Sequence, residues 1–129
     1  MSNPPAPVPL PILWGAFVST HALLLVLSFF VPAEPIAQAS LVPLLAIPAM
    51  IAAGLAAEGS LVARVAPHAQ TWCILRFALA ESAGILGFVT FLLSGAHLVQ
   101  LVCAACGLVA HLLAFPSPRA LEGYSSLRR

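Results

Sequence analysis

Glu81 sits in an apolar run from Trp72 to Leu93 that contains one other charged side chain, Arg76. A carboxyl group at membrane depth costs at least a few kcal/mol, so such groups face protein or water and mark functional pathways. At about 1.5 Å of rise per residue, Glu81 lies on the order of 13 Å in from Trp72. It either meets a partner such as His21 or Arg76 or holds a proton, because an unpaired charge in hydrocarbon neutralises itself. A carboxyl that alternates between those states is a proton or cation site. Glu58 and Arg76 fall shallower on the same side, where they can form an ion pair or reach out to the interface. His21 is at a depth from which it reaches Glu81, and His111 at one from which it reaches Glu58. The competing role for each of these groups is structural, a paired or hydrogen-bonded side chain that fixes helix packing.

Cys103 and Cys106 form a CxxC whose spacing is similar to that of four-helix thiol oxidoreductases and mercury-handling membrane proteins. A working dithiol needs a thiolate near water or at a helix amino terminus. Cys103 falls about seven residues into its helix, near the bilayer middle, and there is no second cysteine pair to complete a relay. Cys73 stands alone. Small buried packing residues are the alternative reading of all three. His21 and His111 could hold a haem between them, but their depths differ by about six residues of rise, which disfavours a shared iron. No nucleotide loop, nucleophile elbow or zinc helix motif is present. No catalytic residue, metal or cofactor is therefore assigned, and an enzymatic role is disfavoured.

The elements that position these residues follow from composition. The chain has 129 residues, 61% hydrophobic and 7% charged, with no Asp and no Lys. Soluble domains carry about a quarter charged residues. Five dispersed arginines, Arg64, Arg76, Arg119, Arg128 and Arg129, do not make the clustered basic surface that nucleic acid requires. The lipid bilayer is the expected partner. Four segments reach spanning length, about 10–31, 41–63, 72–94 and 96–115. Pro32, Pro35, Gln38 and Ser40 separate the first pair, Arg64 to Gln70 with Pro67 the middle pair, and Ser94 and Gly95 the last. Pro116 and Pro118 stop the fourth. The amino terminus lacks the basic segment of a secretory signal, so the first run reads as a retained helix.

Arginines near span ends are retained on the cytoplasmic side. With four crossings all five fall on one face, whereas three or five crossings would split them. The expected fold is thus an all-α membrane protein, four helices in an up-down bundle of two hairpins, with both termini cytoplasmic and the Glu34 link facing outward. Residues 1–118 form the membrane domain and 119–129 a short cytoplasmic tail. The expected location is the bacterial inner membrane. Trp14 and Trp72 each begin an odd-numbered helix, hinting at two hairpins repeated in parallel. Small residues recur at four-residue spacing: Ala49, Ala53 and Ala57; Ala80 and Gly84; Ala83 and Gly87; Cys103 and Gly107. In lipid such faces are the main source of helix packing, within one chain or between copies.

The stretch Ala78 to Leu93, ALAESAGILGFVTFLL, resembles the glutamate-bearing helix of the ring-forming proteolipid (c subunit) of rotary ATPases. The match rests on Glu81 preceded by small residues and followed by Gly84 and Gly87. The resemblance implies an ion-binding role for Glu81 in a homo-oligomer. It covers 16 of 129 residues. Glu81 is on the third helix rather than the second or fourth, and the link before that helix lacks the family's Arg-Gln-Pro signature. The sequence as a whole points to a small multi-pass subunit, oligomeric or part of a larger membrane complex, with Glu81 as a proton or cation site. The alternatives are a structural accessory subunit that docks by its small-residue faces, and a thiol redox or metal-handling protein using the CxxC.

Overall fold

The computed structural model describes residues 9–33 and 41–127. The Glu34 to Ser40 link and the terminal Arg128 and Arg129 lie outside them. The described residues form six helices and no strand: α1 (Leu10–Leu27), α2 (Leu41–Glu58), α3 (Ser60–Val65), α4 (Ala69–Ser94), α5 (His97–Leu113) and α6 (Pro118–Leu127). Pro11 falls in the first turn of α1, where a missing N–H costs nothing. Pro48 lies inside α2 without ending it.

The second expected span, 41–63, is broken. Gly59 takes a left-handed φ of 72° between α2 and α3, a conformation that glycine adopts without steric cost. The break opens the Ala56 and Ala57 carbonyls, which α4 fills, and α4 adds a second donor to Gly59 O beside Ala63 N. Trp72 Nε1 donates to Gly59 O at 2.8 Å, Arg76 Nε to Ala56 O at 2.6 Å and Arg76 Nη2 to Ala57 O at 2.9 Å. A second bond from Nη2 reaches Leu113 O at the end of α5 at 3.0 Å. One guanidinium thus serves two helix carboxyl ends, where a positive charge also complements the dipole. Its carbon lies 4.6 Å from the centre of the Trp72 ring, a cation–π contact. The expected Arg76–Glu58 ion pair does not form. Glu58 instead accepts from Ser60.

α4 starts at Ala69, three residues before the expected 72, and ends at Ser94, capped by Gly95, whose φ of 70° permits the tight link into α5. After α5, Pro118 opens α6 at 90° to it. Part of the segment expected as a tail is therefore helical, and Tyr124 anchors it by donating to Ala66 O at 2.8 Å and packing on Trp72.

α4 is the central element, touching α1, α2, α3, α5 and α6, while α1 touches only α4 and α5. Trp14 meets His111 and Phe115 while His21 meets Ala104, so α1 runs antiparallel to α5. The Trp72 and Arg76 bonds set α4 antiparallel to α2. The residue distribution is inverted relative to a soluble bundle. Ala49, Ala53, Ala56, Ala80, Ala83, Ala104 and Ala110 are buried, whereas Leu44, Ile47, Ile51, Leu98 and Leu112 face outward. That pattern suits a solvent as apolar as leucine, in which close backbone approach replaces hydrophobic burial. Leu10–Leu27 and Ala69–Ser94 are long and apolar enough to cross a membrane, with a third span if His97–Leu113 and the bent Pro118–Leu127 are taken together.

Because Arg76 satisfies carbonyls rather than a carboxylate, Arg76→Met should lower stability by at least about 1.5–3 kcal/mol, while Glu58→Gln should leave it near wild type. Unfolding titrations of both variants in mixed micelles provide the check.

Candidate cation site

Three buried side chains from three helices converge at the centre of the bundle. Glu81 comes from α4, His21 from α1 and His111 from α5, and both imidazoles are fully buried. Glu81 Oε2 lies 3.3 Å from His21 Nδ1 and 3.4 Å from His111 Nε2. The two rings stand edge to face with centroids 5.4 Å apart.

The six-residue depth difference between the histidines, about 9 Å of rise, is a property of their Cα atoms. Side chains on a helix lean toward its amino terminus. α1 and α5 are antiparallel, so His21 leans toward one membrane face and His111 toward the other, and the two rings meet between. This corrects the expectation that His111 serves Glu58, and the depth difference that counted against a shared iron does not keep the two rings apart. Trp14 fixes the register, its Nε1 donating to His111 O at 2.8 Å, and Phe17 lies against both Phe77 and His111.

Room for His21 is made by two glycines. A Cβ at Gly84 would come within 2.5 Å of the His21 ring, and one at Gly107 within 2.3 Å of it and 2.9 Å of Ala80 O. The imidazole is therefore held between the backbones of α4 and α5. Gly87 does the same for Cys103, whose Cβ would lie 2.6 Å from an added methyl. The small-residue spacing read from the sequence thus has a defined use, seating His21 and Cys103 where α4 and α5 meet.

Hydrogen bonding fixes the chemistry of His21. Its Nε2 lies 3.0 Å from Ala104 O, and since a carbonyl only accepts, Nε2 carries the proton. In the neutral ring Nδ1 then presents a lone pair to Glu81 Oε2. Two lone pairs do not attract, so a proton or another cation belongs between them. Glu81 Oε1, His21 Nδ1 and His111 Nδ1 are buried without a hydrogen-bond partner.

Of the residues singled out in the sequence, Glu81, His21 and His111 are brought together, while Arg76 and Glu58 are not part of the cluster. Cys103 is sealed between α4 and α5 at Gly87. Cys106 lines a groove of about 340 Å³ between α2 and α5 with Met50, Ala53, Gly54 and Val109. Sequence reasoning missed Gln100, which is buried with Oε1 unpartnered. The available signal was its register: Gln100, Ala104, Gly107 and His111 recur every three to four residues along the buried face of α5.

Comparison with protein families, curated proteins and solved structures yields no match. Fold and site together define a protein that is all-helical among the described residues, with helices long and apolar enough to cross a membrane and a buried His–Glu–His cluster.

Gly107→Ala should destabilise the bundle by about 1–3 kcal/mol, since its methyl meets a ring held on both sides and a backbone carbonyl. Gly54→Ala, where an added Cβ meets nothing within 4 Å, should be neutral in the same unfolding assay.

Proposed function

We propose that this chain is a small multi-pass subunit of the bacterial inner membrane, crossing four times with both termini cytoplasmic, in which Glu81 is an intramembrane proton or cation site. The observation that carries the reading is the Nδ1 lone pair of His21 facing the Glu81 carboxylate across 3.3 Å, an arrangement that calls for a positive charge between them. Intramembrane ionisable groups of this kind are expensive and go with ion pathways. α2 and α5, with 18 and 17 residues, fall at the short end of the spanning range. The proteolipid-like stretch around Glu81 supports the same role. Glu81 is 5% exposed and faces α1 and α5 of its own chain, which favours a site completed within one chain over one shared around a ring.

A second reading, a structural accessory subunit, is favoured by the small-residue groove at Ala53, Gly54, Ala57 and Ala105, which suits a helix of another subunit or copy. Glu81→Gln discriminates. In proteoliposomes, proton or cation flux lost with assembly retained supports the ion site; flux unchanged from wild type removes Glu81 from function. Reporter fusions at each terminus should both report a cytoplasmic location, and a fusion at Gly95 the opposite side.

A further inference from the structure

Resting on the reading of Glu81 as a cation site, we propose that His21, Glu81 and His111 bind a divalent transition-metal ion of the zinc class. Each of the three residues offers one ligand atom, and these atoms lie within 4.8 Å of one another. Two imidazoles and a carboxylate are a donor set that zinc and its neighbours favour. Calcium and magnesium require six or more oxygens, whereas this cluster offers a single carboxylate and the nearby Ala104 carbonyl is engaged by His21.

The spacing fits a metal better than a proton. Charge-assisted hydrogen bonds run about 2.7–2.9 Å, yet the two carboxylate–imidazole separations are 3.3 and 3.4 Å. Ligands about 2.0–2.1 Å from a tetrahedral zinc stand about 3.3–3.4 Å apart. Two edges of the coordination polyhedron are therefore already present. The third closes by turning the His111 ring, whose Nδ1 makes no hydrogen bond. Glu81 Oε1 is likewise without a hydrogen-bond partner.

The outer shell has the form that metal sites use. A metal-bound histidine donates its other ring N–H to a carbonyl or carboxylate, which fixes tautomer and orientation. His21 Nε2 does so to Ala104 O, leaving Nδ1 as the ligand atom. The glycines at 84 and 107 hold that ring in place. Cys103 and Cys106 are directed elsewhere, one against Gly87 and the other into the α2–α5 groove, so the site is free of sulfur.

The test uses the full chain in nanodiscs, stripped with a chelator and titrated with Co²⁺ and then Zn²⁺. One Co²⁺ per chain should bind with the visible absorption of a four-coordinate site, and Zn²⁺ should displace it. X-ray absorption of the zinc-loaded wild type should show two imidazoles and a shell of nitrogen and oxygen only at about 2.0–2.1 Å. Glu81→Gln and His111→Gln should weaken binding by about 100-fold or more, while a His68→Ala, His97→Ala double variant should bind as wild type. No cobalt binding by the wild type overturns the proposal. So does a sulfur shell at about 2.3 Å, or binding lost only in the His68 and His97 variant. The wild-type spectra carry the test should a cluster variant fail to fold. Glu81-dependent flux in a chain that binds no metal would leave the ion-site reading standing and this inference refuted; metal binding with flux unaffected by Glu81→Gln would do the reverse.

Discussion

A backbone carbonyl in hydrocarbon has no water to turn to, and the side-chain hydrogen bonds that tie one helix to another in this protein largely answer that need. Trp14 serves His111 O, Trp72 serves Gly59 O, Arg76 serves Ala56, Ala57 and Leu113, His21 serves Ala104 and Tyr124 serves Ala66. Each bond ties one helix to the backbone of another element. Such bonds fix register more tightly than alanine-on-alanine contact, which tolerates sliding. At the helix ends, where Arg76 bonds Ala56, Ala57 and Leu113, removing the donor leaves acceptors stranded in an apolar surround, so loss costs more than the bond itself contributes. The break at Gly59 depends on this arrangement, because Arg76 takes over the Ala56 and Ala57 carbonyls there.

The same constraint explains what was legible in the sequence. Proline, glycine and serine at the links are local signals, and α4 and α5 end close to them, α5 at Leu113, two residues before the 115 expected from Pro116 and Pro118, whereas α1 ends at Leu27, short of the expected 31, and α2 at Glu58, short of the expected 63. Gly59 was not read as a break because a lone glycine within an apolar run is tolerated in a helix. Its left-handed turn is held by residues 13 and 17 positions away, information that no local window contains. Arg76 was read as an ion-pair partner for the same reason. Charge suggests a carboxylate, but the groups actually within reach were helix-end carbonyls, which a sequence does not mark.

Glu81 was legible as the central group from depth and isolation, and His21 as a partner for it. His111 was assigned to the wrong carboxylate because depth was counted along the axis without the lean of the side chains. Gly84 and Gly107 were legible as close-packing positions but not as the seat of an imidazole, since that requires knowing which helix faces them. The buried cluster thus combines a sequence signal, a carboxyl in an apolar run, with a tertiary one, two glycines opposite each other that admit a ring.

α1 has His21 as its one fully buried residue and makes no contact with α2. α1 packs on α4 through Phe17 against Phe77 and His21 against Gly84, but the carbonyls that His21 and Trp14 bond both belong to α5. Without α5, Glu81 would lack one of its two imidazoles and His21 the Gly107 half of its seat. The cluster is in this way complete only when α1, α4 and α5 are together, and each of its three side chains depends on the docking of the other two helices.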